Sequence, residues 1–210
     1  MSIVTLNDRA VRSVTTFGSL NTGSMVFIKK LTASSSSTLS FVNGSSDVTL
    51  DSTFKEYVFT FKNIHPSADG EDLQFNMSAD SGSNYNVTKT TTAFRAFHNE
   101  AGNDTNLSYH TGEDLAQGTG FQSISYETDN ANDSGISGTL NLFNPSSTTF
   151  VKHFIAQTSS CLDGGASYGI YNLNFFTAGY GNTTSAIDAV QFKMSSGNLD
   201  SGDICLYGIK

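Results

Sequence analysis

Four histidines, two cysteines and nineteen carboxylates are the groups in this 210-residue chain whose types could do chemistry. His65, His98, His110 and His153 lack the close spacing of a zinc motif with one another or with a cysteine. His98 and His110 could meet in space, although the expected reading is ordinary polar residues. The run Asp129-Asn130-Ala131-Asn132-Asp133-Ser134-Gly135 offers the oxygen ligands that calcium favours. It departs from the EF-hand pattern, because Ala131 takes a ligand position and no Glu follows at the required distance. The same residue types build a strand-connecting turn. No Gly-x-Ser-x-Gly elbow, Walker loop or dinucleotide fingerprint occurs. A glycosidase would need two carboxylates facing one cleft, whereas the acids here gather between periodic segments. The expectation is a protein with no catalytic residues, no metal and no cofactor. Tyr109, Tyr168 and Tyr180 are the candidates for stacking on a sugar, set against ordinary core or rim packing. Cys161 lies beside a loop signal and Cys205 inside a strand, and synthesis in a cytoplasm favours free thiols, so no disulfide between them is expected.

The elements that must position these groups repeat with period two. Leu73, Phe75 and Met77 alternate with polar neighbours, as do Tyr57, Phe59 and Phe61; Leu140 and Leu142; Leu173 and Phe175; and Val190, Phe192 and Met194. Residues 204–209 are apolar on both faces. Weaker strands cover 25–31, 38–42, 94–98, 122–126 and 150–156, filled with β-branched and aromatic residues. Turn signals punctuate them, among them Asn43-Gly44, Asn144-Pro145, Ser196-Gly197-Asn198 and Ser201-Gly202. This predicts an all-β fold: an antiparallel β-sandwich, jelly-roll-like, of about ten strands, in one domain over 25–210. Leu73, Phe75, Met77, Val190, Phe192 and Met194 should line its interior. Asn99–Gly120 breaks the rhythm and reads as one long loop in an acidic zone, since no Lys or Arg stands between Arg95 and Lys152.

The net charge of −8 is unevenly placed. Residues 1–46 hold four basic groups against Asp8 alone, giving +3, and the remainder holds seven basic and eighteen acidic groups, giving −11. Such a chain is unsuited to nucleic acid, whose phosphates need Lys and Arg, and no run is apolar and long enough for membrane insertion. Met1–Ala10 is polar, without the apolar core of a secretory signal. Residues 1–24 carry Val4, Leu6, Arg9, Arg12, Val14 and Phe17, a set suited to an N-terminal arm docking on a neighbouring chain. The alternative is an added edge strand on the chain's own sheet.

Two blocks carry a resemblance. Ala186–Lys210 contains a strand, a Ser-Gly-Asn turn, a second Gly and a final strand ending Leu-Tyr-Gly. Glu56–Phe75, continuing to Ser81-Gly82-Ser83-Asn84-Tyr85, forms the second block. Together they resemble jelly-roll structural proteins of tailed bacteriophages, most strongly virion proteins of phages infecting marine bacteria. The likeness extends in pattern over about residues 25–210 and is close only in these blocks. It implies a noncatalytic component of the virion exterior, a capsid decoration or head-fibre protein, reaching the virion surface after synthesis in the host cytoplasm. The implied partners are further copies of the chain, a trimer among the candidates, and other capsid or tail proteins. The alternative is a tail-fibre or receptor-binding protein that recognises host surface glycan. A glycan-cleaving depolymerase is the rival from another class.

Overall fold

A computed structural model describes residues 24–210. The six docking candidates of the N-terminal arm, Val4, Leu6, Arg9, Arg12, Val14 and Phe17, lie outside the described residues. Twelve strands follow in order: β1 Met25–Thr32, β2 Leu39–Val42, β3 Glu56–Pro66, β4 Leu73–Ser78, β5 Lys89–Asn99, β6 Thr105–Tyr109, β7 Gln122–Ser123, β8 Ile136–Phe143, β9 Lys152–Asp163, β10 Ile170–Gly181, β11 Ala189–Met194 and β12 Leu199–Ile209. They form an antiparallel sandwich of an eight-stranded sheet, β1-β12-β3-β8-β9-β10-β5-β6, on a four-stranded sheet, β2-β11-β4-β7.

The order resolves into a simpler plan. β1-β12-β3-β8 facing β2-β11-β4-β7 is the interleaved arrangement of an eight-stranded jelly roll. Two hairpins are inserted into it: β5–β6 between β4 and β7, and β9–β10 between β8 and β11. They meet along β5 and β10, in register from Tyr171↔Asn99 to Gly181↔Lys89, and widen one sheet beyond the reach of the other.

Alternation explains the core of the jelly roll, because every second residue of a strand faces the opposing sheet. Leu73, Phe75, Met77, Val190, Phe192 and Met194 are all buried, as the pattern predicts. Phe192 sits at the centre of a ring cluster, with Phe41, Phe59 and Phe61 edge-on at 6.2, 5.2 and 5.3 Å. Gly202 answers the bulge of β3. Its φ is +107°, and a Cβ there would lie 2.4 Å from the Asn63 carbonyl oxygen, so only glycine fits this irregularity within β12.

The strand count is twelve rather than about ten, and the excess lies where a loop was expected. Residues 105–109 form β6, an edge strand paired with β5 from His98↔Thr105 to Phe94↔Tyr109. Its Leu107 and Tyr109 point to solvent and bury nothing in the core. Conversely, the strand expected over 122–126 contracts to Gln122–Ser123. Cys161 and Cys205 are free. Their strands, β9 and β12, are separated by β8 and β3, about 14 Å at three sheet spacings, twice the ~7 Å limit for bridging two Cα atoms.

Candidate functional site

The inserted hairpins create an inner sheet face that the four-stranded sheet does not cover. Inward positions of β5, β10 and β9 form rows across it: Lys89–Gly181–Lys152 at one end, then Arg95–Phe175–Thr158, and finally Asn99–Tyr171–Leu162. The segment from His110 to Thr128 folds over part of this face, and its two ends behave differently.

The covered end is sealed by polar groups. Lys89 and Lys152 are fully buried. Lys89 Nζ donates to Asn76 Oδ1 at 2.6 Å and to the Val87 carbonyl at 2.8 Å. Asn76 in turn donates through Nδ2 to the carbonyls of Tyr85, Thr119 and Gly120. Lys152 Nζ donates to the Phe150 and Thr183 carbonyls. Among the described residues no carboxylate pairs with Lys89, and burial pushes its ammonium down to about 7. Gln122, Thr91 and Ser123 complete the network: Thr91 donates to Gln122 Oε1 at 2.6 Å, and the Ser123 carbonyl accepts from Thr177 at 3.1 Å.

The open end is an aromatic groove. Arg95, Phe97, Asp104, Glu127, Leu162, Tyr171 and Leu173 line a cavity of about 250 Å³. Phe97 and Tyr171 meet at 5.4 Å with planes 83° apart, and Tyr168 extends the aromatic run past Tyr171. The Arg95 guanidinium lies 4.2 Å over Tyr126 and 5.3 Å over Phe97. Among the described residues it forms no ion pair, and its buried Nε has no hydrogen-bond partner. The Tyr171 hydroxyl donates to Asp104 at 2.7 Å. Partial loss of solvent, and then this donation, hold the phenol above its ordinary range.

Glu127 reaches the groove through a strained backbone. Its φ is +37°, unusual for a residue with a side chain. Asp72 holds it there, accepting from the Glu127 backbone N–H at 2.8 Å and from Ser123 Oγ at 3.0 Å. Burial raises the Asp72 carboxyl to about 7, and the nearby Glu113 carboxylate adds to the shift.

A second surface lies on the opposite side of the same hairpins. Outward positions over 92–98, 105–109, 153–161 and 172–180 carry no Lys, Arg, Asp or Glu. Phe94 and Phe176 stack at 4.8 Å, flanked by Tyr109 and by Leu107, which is 69% exposed. Ile155 and Phe150 add further exposed apolar surface. A larger cleft of about 610 Å³ is lined by His65, Asp133, Cys161 and Asp200 among small polar side chains such as Asn63 and Ser137, with no Phe or Tyr.

The three tyrosines singled out as sugar platforms are dispersed. Tyr109 stands on the outer face and donates to Asp114 at 2.6 Å, and Tyr180 packs near His153. Only Tyr168 borders the groove. His98 points outward, whereas His110 packs at 4.5 Å on Tyr126 from the inner side, so the two do not meet. The Asp129–Gly135 run is a turn closed by Ser134 N–H on the Ala131 carbonyl. The Asp129 carboxylate is engaged by the Asp163 backbone N–H. Among the described residues no cluster of three or more His, Cys, Asp or Glu could hold a metal, and no helix is long and apolar enough to cross a membrane. Sequence reasoning missed Arg95, Phe97, Tyr126 and Tyr171. The β5–β10 register places Arg95, Phe97 and Tyr171 at an uncovered edge, and the segment after β7 brings Tyr126 against Arg95. Comparison with family models, curated proteins and solved structures finds no match.

Proposed function

We propose that this chain is a noncatalytic structural component of a tailed-phage virion exterior, a capsid decoration or head-fibre protein that assembles as an oligomer. The observation that carries the reading is the uncharged outer face of the inserted hairpins. A chain of net charge −8 repels its own copies. Self-association therefore favours a face free of like charge, and Phe94, Leu107, Tyr109 and Phe176 supply apolar area there. The sequence resemblance supplies the virion context. Mass spectrometry of purified particles of the encoding phage tests it: the chain should appear in a fixed copy number, and its absence overturns the assignment.

A second reading, recognition of host surface glycan, is favoured by the groove. Aromatic rings beside a few hydrogen-bonding groups in a concavity are the composition of a small-ligand site. The noncatalytic reading extends to this groove. Its lining carboxylates are Glu127 and Asp104, the latter accepting from the Tyr171 hydroxyl through one oxygen, while the buried carboxyl raised to about 7, Asp72, sits beneath Ser123 and the Glu127 backbone instead of lining the cavity. Incubation with host polysaccharide should release no reducing ends; release would establish a depolymerase.

A further inference from the structure

We infer that the groove of Arg95, Phe97, Asp104, Glu127 and Tyr171 is selective for a neutral pyranose residue of a glycan, held as one sugar ring. This rests on the glycan reading above and narrows it to a ligand class.

Size sets the first limit. The cavity of about 250 Å³ falls below the ~300–1,000 Å³ of a drug-sized site, so it takes one ring and leaves the rest of a glycan outside. Shape sets the second. With the Phe97 and Tyr171 planes 83° apart, one ring can offer its face to the apolar C–H side of a pyranose while the other closes the flank. Leu162 and Leu173 supply the apolar floor. Hydrogen bonding sets the third. Asp104 is already oriented by Tyr171, leaving acceptor capacity on its carboxylate for sugar hydroxyls. Arg95 presents donors, with a buried Nε that has no partner among the described residues. Its guanidinium plane is fixed by Tyr126 and Phe97, so little conformational freedom is lost on binding.

Charge decides the class. The lining carries one cation, Arg95, against two anions, Asp104 and Glu127, within a chain of net charge −8. A carboxylated or sulfated sugar would bring a third negative charge into this lining. A neutral hexose brings only hydroxyls, which pair with carboxylates and guanidinium alike.

Amide chemical-shift mapping on the full chain tests the inference. Methyl glycosides of neutral hexoses, and separately of a sialic or uronic acid, are titrated into the millimolar range expected for a single sugar. The expected result is that a neutral hexoside shifts the amides of Arg95, Phe97 and Tyr171. Asp104→Asn and Tyr171→Phe, each checked for an unchanged melting temperature, should weaken that binding severalfold or more. Should a variant unfold, the wild-type shift map alone decides. Neutral sugar binding that maps elsewhere, or that both variants leave intact, overturns the groove assignment. Selective binding of the acidic sugar at the groove overturns the neutral class while sparing the glycan reading. No binding of any sugar, with none retained from a host polysaccharide, overturns both.

Discussion

The jelly-roll half and the inserted half of this sandwich differ in how much polar chemistry they bury. Between β3, β4, β11 and β12 the layer is filled by Phe41, Phe59, Phe61, Phe75 and Phe192, ring edge against ring face. Between β5, β9, β10 and the segment that covers them, buried Phe154, Leu173 and Phe175 share the interior with the polar side chains of Lys89, Lys152, Asn76, Gln122, Thr158 and Thr177. The first half gains from removing apolar area from water. The second must satisfy each buried donor and acceptor, and it is stable only while that network is complete. Both the groove and the outer face proposed for assembly belong to the inserted hairpins.

The largest effect expected is at the ring cluster. Phe192→Ala should lower the unfolding free energy by about 3–5 kcal/mol in denaturant titration, since the cavity opens among rings that cannot collapse into it. A loss under ~1 kcal/mol would mean that the aromatic layer is loosely packed. The polar half should answer to a different change. Asn76→Ala removes one of the two acceptors of Lys89 and the donor to three carbonyls, with an expected cost of about 2–3 kcal/mol. Protection from hydrogen exchange should fall first over residues 115–123, which it ties down; uniform loss over both halves would erase the contrast.

Titration sharpens it further. Asp72 in the folded state holds its proton to about pH 7, whereas an unfolded Asp loses it near pH 4. The folded state therefore binds more protons in that window, and this group's contribution to stability falls as pH rises from about 4 to 7. Lys89 has the opposite sense. Its folded value near 7 lies below the unfolded value of 10.5, so its penalty is full below pH 7 and relaxes as pH rises toward 10.5. Each slope is bounded by about 1.4 kcal/mol per pH unit for one proton. Asp72→Asn should flatten the acid limb and Lys89→Met the alkaline limb, measured as melting temperature against pH. Limbs unchanged by these substitutions would show that other groups set the profile.

Legibility in the sequence follows the same division. Leu73-x-Phe75-x-Met77 and Val190-x-Phe192-x-Met194 announce their inward faces, and Gly197 announces its reversal and Gly202 the irregularity within β12, with φ of +67° and +107°. A strand half buried on one apolar face carries its own record. Lys89 and Lys152 are inward and fully buried where alternation alone would place charge in water. Their partners are the amide of Asn76 and the carbonyls of Val87, Phe150 and Thr183, and no local pattern signals that enclosure. β6 was hidden because an outward edge strand needs no buried face. The groove depends on the register between β5 and β10, two strands seventy residues apart in sequence, and register of that range is not written in either strand alone.

The smallest effect on folding and the most direct on function belongs to the outer face. Phe94→Glu with Leu107→Glu alters two exposed side chains, and surface changes of this kind usually shift stability by under about 0.5 kcal/mol each. Sedimentation velocity of the full chain and of this double variant, at matched concentration, tests the central claim. The account predicts a discrete oligomer for the wild type and a folded monomer for the variant, with the melting temperature nearly unchanged. A wild type that sediments as a monomer, or a variant that assembles as the wild type does, would contradict it.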